Sequence, residues 1–208
     1  DFVYRRHYPS QKAFVRSSLE EYVAHPLLRT VGIDRSFYGP LPREELASYA
    51  ALLPDGYRVT MKVWDELASL SYPEHARFGA RAGQPNPSFL DASRFLSDVL
   101  EPARGIADEH PFVIEIPPIA REAIPQPRDF AQRVDAFLSS VARHSPLVRF
   151  AFEVRNAALL SRDYLRVLAQ HNAAHVFNFW TGMPTVGEQL AIAGTLPADF
   201  VVLRLMQP

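Results

Sequence analysis

Hydrophobic positions along the chain fall into short dense runs, separated by stretches with helical spacing. The clearest run is 148–156, V-R-F-A-F-E-V-R-N, apolar and aromatic at its start and charged at its end. Side chains in a strand alternate faces with period two. Glu153 and Arg155 therefore share a face with Ala151 and Arg149, while Phe150, Phe152 and Val154 take the other. Runs at 30–37, 57–63, 112–116, 174–179 and 200–205 predict five more strands. Between them, apolar residues at i, i+3, i+4 spacing predict helices over 17–28, 42–53, 89–104, 129–143, 162–171 and, shorter, 185–193. Residues 1–15 carry no period and read as loop. Residues 64–88 carry none either and hold Pro73, Gly79, Gly83, Pro85 and Pro87. An unpatterned stretch of that length is expected to be a lid or an insertion.

Strands interleaved with helices imply βα units and a parallel sheet. The fold class is α/β, and the expected architecture is a TIM-type (β/α)8 barrel. It forms a single domain over 1–208, with a long loop insertion around 64–88. The sequence opens on loop and helix and stops at a strand, so a first and a last strand are expected to be missing from it. An open doubly wound sheet also fits the alternation, but no Gly-x-Gly-x-x-Gly follows any strand.

The polar residues near the strand C-terminal ends are Asp34, Lys62, Glu115, Glu153 with Arg155, Asn178 and Arg204. A parallel barrel opens such residues into one mouth. Three acids and three bases leave that mouth near neutral, keep buried charge paired and shift pKa values as proton transfer requires. Asp34, Glu115 and Glu153 carry oxygens of the kind a hard divalent cation takes. No histidine stands at a strand end, however, and no metal is expected. His171 and His175 straddle a helix end and the next strand, and are expected at the surface and the sheet edge. Nucleophilic catalysis has no signature: there is no cysteine, no Gly-x-Ser-x-Gly, and Ser36 has no evident histidine partner. Arg155, Arg204 and Lys62 suit a phosphate group, although no glycine-rich loop accompanies them. Aromatic residues follow several strand ends, and Trp64 and Trp180 are the candidates for a wall that stacks on a sugar or base.

Composition narrows the partners. A net charge of −1 over 208 residues favours neither nucleic acid nor an anionic membrane surface. The absence of cysteine excludes disulfides and thiolate metal sites. No apolar run reaches the ~20 residues of a membrane helix, and no leader is visible, so a cytoplasmic protein with a small-molecule ligand is expected. No motif names a cofactor or an oligomeric state.

Five segments resemble the YecE-like family, the domain of unknown function 72 (DUF72). They are 31–38 (V-G-I-D-R-S-F-Y, against V-E-I-N-S-T-F-Y), 57–63 (Y-R-V-T-M-K-V), 113–118 (V-I-E-I-P-P, against a Gln-x-Pro-Pro strand end), 151–156 (A-F-E-V-R-N) and 200–205 (F-V-V-L-R-L). The resemblance implies a TIM-barrel fold and a shared pocket using Lys62, Glu153, Arg155 and Arg204; it brings no established reaction. The chain departs from the pattern at Gly32, Asp34 and Glu115, which stand for Glu, Asn and Gln, and at Met206-Gln207, which stand for His-Gly. The family's opening Gly-x-Ser-Gly-Trp strand is absent. Two amide-to-carboxylate changes make this mouth more acidic, and the lost histidine removes a candidate acid/base.

These residues lead to an enzyme acting on a small polar, sugar-like or phosphorylated ligand at the C-terminal face of the barrel. Glu153 is the candidate general base, with Asp34 and Glu115 beside it as catalytic carboxylates. Lys62 is a general acid or electrostatic stabiliser, and Arg155 and Arg204 clamp an anion. Asn178, Trp64 and Trp180 join the arginines in ligand binding. The alternative is a non-catalytic small-molecule-binding or degenerate barrel using the same residues. Nucleic-acid processing would need a basic track that the composition does not supply.

Overall fold

The computed structural model describes residues 3–106 and 110–205. Its centre is a six-stranded parallel sheet: β1 (Thr30–Ile33), β2 (Arg58–Lys62), β3 (Phe112–Glu115), β4 (Phe150–Glu153), β5 (Ala174–Asn178) and β6 (Val202–Arg204). The strands lie side by side in chain order, each parallel to the next. A doubly wound sheet reverses its strand order at a switch point; this one does not, so each crossover packs its helix on the same side. The sheet curls into a half-barrel. Three strand spacings, roughly 14 Å, separate β3 from β6, yet Arg204 on β6 touches Glu115 on β3 across the concave side.

All six predicted strands form, shorter than their apolar runs. The helices are α1 (Gln11–Val23), α2 (Arg43–Ala50), α3 (Asp65–Ala68), α4 (Ala92–Arg94), α5 (Pro127–His144), α6 (Arg162–Gln170) and α7 (Val186–Ala193). Two expectations need correction. Helix α1 begins inside the segment read as loop, because the Ser10 hydroxyl accepts the Ala13 backbone N–H at 3.1 Å and starts the helix there. The helix expected over 89–104 is only the short α4, continued by a π-helical turn, Phe95–Leu100. The wider turn brings Phe95, Val99 and Leu100 together into the core. Elsewhere the local rules hold: Pro127 opens α5, Ser161 caps α6, and Thr185 with Glu188 forms a capping box on α7.

Residues 64–88, the first part of the connection from β2 to β3, carry local structure of their own. Helix α3 and a 3-10 segment, Ala76–Arg81, lie within it, and Ser71 bridges Pro85. Asn86 ties it together by donating from Nδ2 to the carbonyls of Glu66 and Ser69, at 2.6 and 2.8 Å.

The two faces of the sheet carry different cores. On the convex face, Phe112, Phe150 and Phe152 pack with Phe95 and Phe137 from the helical layer, ring centroids 5.0–6.5 Å apart. On the concave face the lower positions are small: Val113, Ala151, Ala174 and Val176 form their own cluster, closed by Ala198, Phe200 and Val202. Above them the concave positions turn polar.

Candidate functional site

Strand alternation delivers the site. Concave positions that are apolar low on β3, β4 and β5 are followed two residues later by Glu115, Glu153 and Asn178. On β6, Val202 is followed by Arg204, which lies in register with Asn178. Lys62 ends β2 one step lower, in register with Val113, and its longer side chain reaches up to the carboxylates.

Two buried carboxylates hold three cations. Glu115 receives Lys62 Nζ at 3.0 Å on Oε2, Arg155 Nη2 at 2.9 Å on Oε1, and a hydrogen bond from Arg204 Nη1 on Oε2. Glu153 accepts Arg155 Nε at 3.0 Å on Oε1 and Arg204 Nη1 at 2.7 Å on Oε2. The Glu153 side chain is 0% exposed. An unpaired carboxylate at such a position would cost several kcal/mol, so the two guanidinium groups are a condition of its burial. Burial alone would raise the Glu115 pKa, but Arg155, Lys62 and Arg204 together hold it below the usual carboxylate range. For Arg204 burial pulls downward, and the bonds to Glu153 and Glu115 outweigh it, so its pKa rises.

Asp34 belongs to the site in a different way. Its carboxylate lies 3.4 Å from Lys62 Nζ but is 65% exposed, so solvent screens it and the pair contributes little stability. The buried part of the site is therefore three cations on two anions rather than a balanced six.

Donors remain unspent. Among the described residues, Arg204 makes its hydrogen bonds through Nη1 alone, leaving Nε and Nη2 free on a side chain 27% exposed. Arg155 uses Nε and Nη2 and keeps Nη1. Asn178 donates from Nδ2 to the Val154 carbonyl at 2.9 Å, while its Oδ1 is buried without a partner.

The two tryptophans part company. Trp180 lies against the site, with Arg155 Cζ 4.2 Å from its ring centroid. The following turn presses close: a Cβ on Gly182 would come within 3.1 Å of the Arg155 carbonyl. Trp64 instead packs on the convex core, beneath Arg94 at 4.8 Å. Another of the strand-end aromatics takes its place, Phe37, whose ring centroid lies 5.2 Å from Lys62 Nζ. Ser36 is structural; its buried hydroxyl lies 2.8 Å from the Ile33 carbonyl and 2.6 Å from that of Lys62.

His175 corrects the expectation of an edge residue. It is buried on the convex face of β5, between Tyr164 at 3.3 Å on Nδ1 and Gln189 Oε1 at 3.2 Å on Nε2. Gln189 Nε2 donates to the Asn178 and Pro184 carbonyls, each at 2.7 Å, which fixes the orientation of its amide. Its oxygen then accepts from His175 Nε2, which leaves Nδ1 an acceptor that shares the Tyr164 hydroxyl with the Phe152 carbonyl, each at 3.3 Å. Burial lowers the His175 pKa to about 4, against an opposing pull from the Gln189 bond. Gln189 was missed by sequence reasoning; it stands between Glu188 and the apolar L-A-I-A turn of α7, where a polar residue reads as ordinary first-turn surface. It pins the segment that carries Trp180 to the end of β5. Asn156 does similar work, exchanging hydrogen bonds of 2.8 and 3.0 Å with the Ile119 backbone, and so joins the loops after β3 and β4.

Among the described residues, no group of three or more His, Asp or Glu side chains is placed to hold a metal ion. No helix among them is long and apolar enough to cross a membrane. The substitution of His-Gly by Met206-Gln207 lies outside the described residues.

The family model described as protein of unknown function DUF72 matches residues 3–208. No curated protein matches the chain. Two crystal structures of a DUF72 family protein from Enterococcus faecalis V583 are similar to it. The one at 3.10 Å resolution aligns with a TM-score of 0.58 and 16% identity, over 90% of this chain and 62% of that one. The one at 2.52 Å aligns with a TM-score of 0.52 and 16% identity, over 92% and 70%. At that identity the likeness shows the fold and assigns no residue; this chain spans 62% of the length of the first.

Proposed function

The chain belongs to the DUF72 family, and from that premise we propose that its concave face binds a small polar anion, phosphorylated or carboxylated. One observation carries the reading: three cations converge on two buried carboxylates, and Arg204, the most exposed of the three, makes its side-chain hydrogen bonds among the described residues through Nη1 alone. The surplus positive charge sits on side chains largely withdrawn from water on the concave side of the sheet, where an anion is worth more than on an open surface. Arg204 and Lys62 are the ligand-facing cations. Glu115 and Glu153 are the internal counter-ions that fix them, and the full occupation of both Glu153 oxygens gives it a positioning role. A closed (β/α)8 barrel is the architecture that goes with this site, supported by the sequential strand order and the one-sided helices.

An enzymatic version is favoured by one contact. Lys62, its side chain 12% exposed, meets the solvated Asp34 carboxylate with Nζ at 3.4 Å, which offers a proton path between a bound ligand and water. Calorimetric titration with inorganic phosphate and with malonate tests the binding reading. Arg204→Met and Lys62→Met are each expected to weaken binding at least ten-fold, with far-ultraviolet circular dichroism unchanged. Unaltered affinities in both variants would overturn it.

A further inference from the structure

We propose that the ligand of this site is a monosaccharide bearing a phosphate or carboxylate group, its ring resting on one of the two aromatic rings that stand at the ends of the charge array. The inference rests on the anion-binding reading above and adds the body of the ligand to its charge.

The contacts form one continuous series. The Phe37 ring lies 5.2 Å from Lys62 Nζ; Lys62 meets Glu115 at 3.0 Å; Glu115 meets Arg155 at 2.9 Å; and Arg155 lies 4.2 Å from the Trp180 ring. A ring thus closes the array on the β1 side and another on the β5 side. Each ring is only partly buried. The Phe37 side is extended by Tyr38, its ring edge-on to Phe37 at 5.5 Å and largely open to solvent. Large exposed rings beside a charged cleft suit a ligand with an apolar face.

Two features favour a sugar over a flat base. The array sets an acceptor with capacity left beside its cations: the solvated Asp34 carboxylate, 3.4 Å from Lys62 Nζ. Hydroxyl groups supply the donors such an acceptor lacks. Beside Asp34 the concave face of β1 is open to solvent at Gly32, which brings no side chain of its own. The anionic group then lies at the free donors of Arg204, the hydroxyls face Asp34, and the C–H face of the sugar ring rests against Trp180 or Phe37.

Affinities for inorganic phosphate, glucose 6-phosphate, glucuronate and adenosine monophosphate, measured by calorimetry on the whole chain, test this. Glucose 6-phosphate or glucuronate is expected to bind at least ten-fold more tightly than inorganic phosphate. In Trp180→Leu and in Phe37→Leu that ratio is expected to fall at least three-fold. A ratio near one in the unaltered protein, or one that both substitutions leave intact, would overturn the sugar assignment while the anion reading stands. Tighter binding of adenosine monophosphate than of either sugar would overturn it in favour of a base. No binding of any of the four would remove the anion reading itself. A second readout does not depend on the stability of the Trp180 variant. In a Trp64→Phe background, Trp180 fluorescence is expected to shift with the sugar ligands and to stay constant with inorganic phosphate; equal responses to both count against the ring contact.

Discussion

On β4, Phe150 and Phe152 point outward into a cluster of rings, while Ala151 and Glu153, each one residue further on, point into the half-barrel. The convex face is held by area and shape: five phenylalanines in mutual contact beneath helices α4 and α5 and the π-turn. The concave face cannot be held that way, because its lower side chains are small and its upper ones are charged. Its order comes from pairing, and pairing constrains direction where packing constrains volume. A ring can slide against another ring at modest cost; Glu153 cannot lose a guanidinium without stranding a buried charge. The same strands therefore supply a tolerant scaffold on one side and a stringent, preorganised site on the other.

The largest effect that tests this contrast belongs to the convex side. Phe150→Ala should destabilise the protein by about 4 kcal/mol, as ring-to-alanine changes in cores do, read from denaturant unfolding. Phe150→Leu should recover more than half of that loss; if it does not, the tolerance attributed to this face is wrong.

Next comes acid. His175 is neutral and buried, with its pKa lowered to about 4, whereas an unfolded histidine titrates near ~6.5. The unfolded chain thus takes up the proton first, so this contribution is complete above pH ~6.5 and is lost as pH falls toward about 4. The shift corresponds to about 3 kcal/mol. Below the usual carboxylate range the lowered pKa of Glu115 adds to the loss with the same sign, since stability from an ionised acid disappears as it is protonated. Unfolding curves from pH 7.5 to 4.5 check the first stage, and His175→Gln should flatten it.

On the concave side, Glu153→Gln should cost about 3 kcal/mol, the low end for a broken buried pair, because it leaves Arg155 and Arg204 short of a counter-charge while the amide oxygen still accepts. The double change Glu153→Gln with Arg204→Met should cost less than the sum of the two single changes. Additivity in this double-mutant cycle would mean that the two side chains are not coupled as their 2.7 Å contact indicates. The smallest stability effect is expected at Asp34→Asn, within about 0.5 kcal/mol, as for other solvated ion pairs.

Much of this layout was legible in the sequence. The six strand runs were visible because convex positions repeat large apolar residues and the concave ones become charged only at the C-terminal end, as in F-A-F-E-V-R-N. Asp34, Lys62, Glu115, Glu153, Arg155 and Arg204 could be named because strand ends are where period-two alternation meets the end of the apolar run. Trp64 and Trp180 looked equivalent since each follows a strand; which core each ring joins is set by the turn after it, and Gly182 allows the closer approach. Gln189 and His175 escaped because their meaning lies in each other, fourteen residues apart. The π-turn escaped because its spacing mimics a helix.

The sequence by itself determined the alternation of strand and helix, the face each strand residue takes and the residue types at the strand ends. Those depend on neighbours one to four positions away, and backbone geometry makes them regular. Only the tertiary structure decided that Arg204 meets Glu115 across the curl of the sheet, that Asp34 stays in water while Glu153 does not, and that Arg204 spends a single nitrogen on both carboxylates. Those depend on how far the sheet bends, a sum over every packed side chain rather than a property of any local stretch.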